Sequence, residues 1–149
     1  MASTITNANL NVVLRETVTL NGKEYGSRLA FDVSGVNEVS QRIFTVPTTQ
    51  VTVMSIRGTP SAGAFSSTGI KYCRVSNLDD ENFVRLSFMS GSSNQFDVKL
   101  DPKRTYVFTN AQISGSSAGA TFNSYVNFTD LKAVASASPV DIELFVASS

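Results

Sequence analysis

The sequence of 149 residues has no histidine, no tryptophan and one cysteine, and its basic and acidic side chains balance at 12 each. Without histidine there are no Ser-His or Cys-His nucleophile systems, no usual neutral-pH general base, and almost no route to a transition-metal site. Carboxylate catalysis and oxygen-ligated calcium survive that cut. A lone Cys73 excludes an intrachain disulfide framework. In "IKYCRVS" it shares a strand face with Lys71 and Val75 and reads as an inert, half-buried thiol.

The charge distribution is equally restrictive. Seven basic and four acidic residues lie up to Arg74, five basic and eight acidic beyond it. That asymmetry lacks the basic footprint of a nucleic-acid binder, so no nucleic-acid partner is expected. No run approaches the ~18 apolar residues of a membrane span, and "MASTITNANL" has neither the basic n-region nor the apolar h-region of a secretory signal. The chain is therefore expected to be made and used without such a signal and without a membrane partner. Asn127-Phe128-Thr129 matches the glycosylation triplet, which is then accidental. Neither GxxxxGK[ST] nor GxGxxG occurs, so no phosphate cradle is indicated.

Core material is ample: 42% of residues are apolar, with ten Phe and four Tyr. The length fits one domain. In "NLNVVLRETVTLNGKEYGSRLAFDV", Leu10, Val12, Leu14 and Val18 share one parity, with Glu16 the interruption. Alternation around Asn21-Gly22 predicts a β-hairpin. Further strands are read in "VNEVSQRIFTV", closed by Pro47, and in "QVTVMSIR". A Gly/Ser-rich surface loop follows from Gly58 to Gly69. Then come "IKYCRVS", "NFVRLSF", "QFDVKL" and "TYVFTN", a second small-residue loop at Ser114 to Ala120, the stretch "FTDLKAVA" as a strand, and a last regular strand in "VDIELFVA". Short strands at intervals of about ten residues, with no sustained helical period, predict an all-β antiparallel sandwich of jelly-roll type. An up-and-down barrel is the alternative. The expected organisation is an N-terminal arm over 1–9 and a single sandwich over 10–149.

Three segments could carry chemistry. In "VSNLDDENFVRLSF" the acids Asp79, Asp80 and Glu81 stand between Asn77 and Asn82. A hairpin turn is the simplest reading, because Asn and Asp side chains bond nearby backbone amides. A calcium site or a pair of catalytic carboxylates are the rivals, although the spacing and turn glycine of an EF-hand are missing. In "LDPKRTYVF", Asp101-Pro102 fits a type I turn. Lys103 and Arg104 are then a solvated tip or a contact to an acidic partner. Phe83, Phe88, Phe96, Tyr106, Phe108, Phe122, Phe128 and Phe145 read as core before they read as a carbohydrate platform. No catalytic, cofactor-binding or metal-ligating residue is assigned, and no cofactor is expected.

The segments "SNLDDENFVRLSF", "QFDVKLDPKRTYVFTN" and "FTDLKAVASASPVDIELFVAS", spanning roughly Lys71 to Ser149, together resemble small all-β virion proteins of tailed bacteriophages. In those proteins a strand ends in Asn plus acids, "NFV" opens the next, and "VDIE.F.A" closes the chain. The resemblance implies a jelly-roll cement or decoration protein on the capsid surface, without enzymatic turnover. Its partners would be the major capsid protein and further copies of itself, as a homotrimer. A receptor- or glycan-binding module of a head fibre or tail is the alternative. The N-terminal arm and the two Gly/Ser loops are the expected contact elements.

Overall fold

The computed structural model describes residues 4–59, 61–113 and 125–149. It divides into two compact units, Met1–Asn37 and Glu38–Ser149.

The first unit is a long hairpin built from β1 (Ala8–Arg15), β2 (Val18–Leu20), β3 (Lys23–Tyr25) and β4 (Arg28–Val36). Asn21 and Gly22 close it with φ of 52° and 76°. Both are positive, as the tight type I′ connection requires, which is why Asn-Gly is the residue pair found there. A two-residue turn sets the register behind it as far as Leu10, beyond which an irregularity between Leu10 and Ala8 shifts it. Leu20 faces Lys23, Val18 faces Tyr25, and beyond a break Arg15 faces Arg28 and Leu14 faces Leu29. The pairing offset is the same on both sides of the break, so no residue is inserted. At the break the Glu16 N–H donates to the Ser27 carbonyl at 2.9 Å. Gly26 has a φ of 140°, and a Cβ there would collide with the Glu16 carbonyl oxygen.

The second unit is the sandwich. Its long strands are β5 (Glu38–Val46), β6 (Val51–Arg57), β8 (Ile70–Asn77), β9 (Val84–Ser90), β10 (Ser93–Leu100), β11 (Thr105–Phe108), β14 (Asp130–Ala135) and β15 (Val140–Ser148). Short pieces accompany them: β7 (Phe65–Ser66), β12 (Gln112–Ile113) and β13 (Val126–Asn127). One sheet has the order β11-β8-β15-β5, the other β10-β9-β14-β6-β7. Every connection between successive long strands crosses from one sheet to the other, except the β9–β10 hairpin. That order is the eight-stranded jelly roll, in which first and last strands are neighbours and both sheets share one core. The fold class read from the sequence therefore holds, with its sandwich beginning at Glu38.

Alternation explains the core. Along β15, Val140, Ile142, Leu144 and Val146 are buried while Asp141 is exposed. They meet Val84, Leu86 and Phe88 of β9 and Leu131 and Ala133 of β14 in one apolar cluster. Phe88 is its aromatic hub: its ring stacks on Phe96 at 4.5 Å and meets Tyr106, Phe108 and Phe128 edge-on at 5.1 to 6.0 Å.

Three local expectations change. The acidic segment is not a hairpin turn, because β8 and β9 belong to different sheets; it arches between them. The turn at Asp101 is not type I: Lys103 has a φ of 57° while the Arg104 N–H donates to the Asp101 carbonyl at 3.2 Å. A positive φ at the third position is the type II signature. The segment from Gly58 to Gly69 is more than a surface loop, since Phe65 tucks against the core and β7 pairs in parallel with β6. The loop expected at Ser114 to Ala120 and the aromatic Phe122 lie outside the described residues.

Candidate functional site

The acidic arch is held by its own side chains. Asp79 Oδ1 accepts the backbone N–H groups of Asn82 at 2.6 Å and Glu81 at 2.8 Å. These bonds hold its carboxyl below the ordinary aspartate range. Buried Asn77 donates to the carbonyls of Asn82 at 2.9 Å and Leu100 at 3.2 Å, and accepts the Asp79 N–H at 2.9 Å. Asp80 and Glu81 are exposed. An open cleft of about 500 Å³ brings Asp79, Asp80 and Asp141 near Lys103. Each of three has a task in the fold: Asp79 caps the arch, Asp141 accepts the Thr45 hydroxyl at 2.6 Å, and the Lys103 ammonium donates to the Leu78 carbonyl. A carboxyl held ionised is a poor proton donor at neutral pH. Among the described residues no group of three or more acids or cysteines is arranged to hold a metal ion.

Arg104 is exposed at the adjoining turn. Cys73 is fully buried, and burial pushes its thiol pKa well up, against the weaker pull of Arg74. The outer side of the β8–β15–β5 sheet carries a polar ladder: Arg74 pairs with Glu143 at 2.8 Å, and Gln41 donates to the same carboxylate at 2.6 Å. Between β5 and the 61–65 segment lies a cavity of about 370 Å³ lined by Glu38, Ser40, Arg42, Met54 and Phe65. Two of its polar groups are engaged, with Glu38 accepting the Ser148 hydroxyl at 2.9 Å and Arg42 donating to the Val53 carbonyl.

The feature that chemistry leaves over is the hairpin. Register places Leu10 opposite Val33, Val12 opposite Phe31 and Leu14 opposite Leu29, three apolar pairs at alternate positions and so on one face. The intervening pairs are Asn11 with Asp32, Val13 with Ala30 and Arg15 with Arg28. Past the break, the constant offset keeps Val18 and Tyr25 in the apolar series. Sequence parity shows the first-strand half of this series. The second half, Tyr25, Leu29, Phe31 and Val33, was missed; it follows from counting back from the Asn-Gly turn.

Of the aromatics, Phe88, Phe96, Tyr106, Phe108 and Phe128 pack together inside the sandwich, whereas Tyr25, Phe83 and Tyr125 are exposed. No helix among the described residues is long and apolar enough to cross a membrane. Comparison with protein-family models, with curated proteins and with solved structures finds no match to this chain.

Proposed function

We propose that this chain is a structural virion protein of a tailed bacteriophage: a cement or decoration protein that binds the outside of the capsid as a homotrimer and stabilises the shell. The observation that carries the reading is the jelly-roll strand order joined to a separate hairpin with one apolar face. Its resemblance to phage virion proteins over Lys71 to Ser149 points the same way. On this reading the chain turns over no substrate and needs no cofactor, nucleic acid or membrane. It is synthesised in the host cytoplasm and ends on the capsid surface.

The physical work is area. A standard interface buries about 1,600 Å². A trimer touching several copies of the major capsid protein holds them by several contacts at once, so opening one does not release it. Co-sedimentation of the purified protein with empty phage shells tests the reading. Saturable pelleting at a fixed number of copies per shell supports it. A protein that stays in the supernatant, yet pellets with host cells or polysaccharide, is instead a receptor- or glycan-binding module.

A further inference from the structure

We infer that the apolar face of the N-terminal hairpin is the surface through which copies of this chain associate. The inference deepens the self-assembly half of the proposed function and rests on it; it does not depend on what shell the assembly binds.

A two-stranded ribbon has no third element of its own to cover a face, and isolated hairpins are marginally stable in water. Along this ribbon Leu14, Val18, Leu20, Tyr25 and Leu29 are 47%, 57%, 60%, 48% and 56% exposed. Together they present roughly 500 Å², within the range of the largest apolar patch on an ordinary monomer, where such patches mark interaction sites. Toward the far end of the ribbon Leu10, Phe31 and Val33 are half-buried and Val12 is only 8% exposed, so the open part of the face is the end near the turn, which supplies the larger part of the roughly 800 Å² that each partner gives to a stable interface.

Two observations favour a second copy as the occupant. The hairpin carries Arg15, Lys23 and Arg28 against Glu16, Glu24 and Asp32, three charges of each sign, so copies come together without net repulsion. A lipid surface or polyanion would favour a basic excess, which is missing. The face is lined mostly by Leu, Val and Tyr, and the constant offset puts Glu16 and Lys23, of opposite sign, on it as well, so the same face on a neighbour matches it in apolar character and in charge. In a homotrimer, three such faces turn toward one axis and leave none open.

The test uses the full chain. Leu14→Glu combined with Leu29→Lys places opposite charges in one cross-strand pair, which retains the hairpin while destroying the apolar face. Val13→Glu combined with Ala30→Lys does the same on the other face. Light scattering is expected to give the wild type and the Val13/Ala30 variant at least twice, and a whole multiple of, 16.0 kDa, and the Leu14/Leu29 variant 16.0 kDa itself. A monomeric wild type overturns the inference, as does a Leu14/Leu29 variant of unchanged mass with lowered melting temperature, which means its own chain covers the face. If that variant fails to fold, Leu14→Cys is the second probe, because Cys73 is buried and silent. A short bismaleimide should link copies of the Leu14→Cys variant and not copies of a Val13→Cys variant; equal linking of both overturns the inference. An assembled wild type that does not pellet with shells removes the capsid reading and leaves this one standing.

Discussion

Among the described residues Phe88 meets more aromatic rings than any other aromatic of the sandwich: four surround it, and its own side chain is fully buried. Phe88→Ala should cost about 3–5 kcal/mol, the range for emptying a buried aromatic site. Phe83→Ala, at an exposed position beneath Lys99, should cost under about 1 kcal/mol. Denaturant unfolding of both variants measures the contrast; equal losses would mean that the aromatic hub is not the centre of the core. Cys73 offers a reagent-based check of the same core. A thiol reagent should label it only after unfolding, whereas labelling in the native state would place it near the surface.

The arch from Asn77 to Asn82 shows how a turn can look like a ligand site at the residue scale. Asn77→Ala removes two donated bonds and one accepted bond from a buried position and should cost about 1–3 kcal/mol. Replacing exposed Asp80 and Glu81 by Asn and Gln should change stability by less than about 0.5 kcal/mol. Added calcium should leave the melting temperature of the wild type where it was. A calcium-dependent rise that the double variant abolishes would restore the metal reading.

Elements were more legible than their connections. Strict alternation in "VDIELFVA" gives β15 with its inward residues, whereas in "QVTVMSIR" it gives β6 without its inward set: Val53, Met54 and Ile56 are all buried, because a bulge at Val53 opposite Leu131 and Lys132 breaks the alternation. Which sheet a strand joins is absent from local sequence, because Asn-Asp-rich turns serve an arch between sheets as well as a hairpin within one. That is why the acidic arch read as a hairpin. The parallel piece β7 escaped for a related reason: two residues carry no period, and only Phe65 finding the core fixes it. At Lys103 a positive φ occupies a residue type that gives no warning of it. The hairpin lies at the other extreme, since the Asn-Gly turn sets its register and hence its apolar face. What local sequence withholds is the occupant of that face, which depends on a second surface.

At the scale of the whole molecule, the absence of histidine and the position of the carboxylates set the response to pH. Asp79 is held low by the Asn82 and Glu81 amides, Asp97 by the Ser87 hydroxyl, and Glu143 by Arg74 and then Gln41. For Asp130, burial raises the pKa, but the Ser55 and Thr129 hydroxyls and Arg57 together outweigh it. A carboxyl whose native pKa lies below its unfolded value adds stability above the unfolded value, and that stability is lost as pH falls through the native one. Unfolded Asp and Glu titrate near about 3.9 and 4.3. The melting temperature should therefore be level from about pH 5 to 7 and fall below about pH 4. A step near pH 6.5 would contradict the assignment.

Cement function makes its sharpest demand on the shell. The measurement is the temperature at which phage shells lacking this protein release their contents, before and after saturation with the purified chain. Cement requires the release temperature to rise and to level off when every site is filled. Saturable binding that leaves that temperature unchanged would mean that the protein decorates the capsid without holding it together.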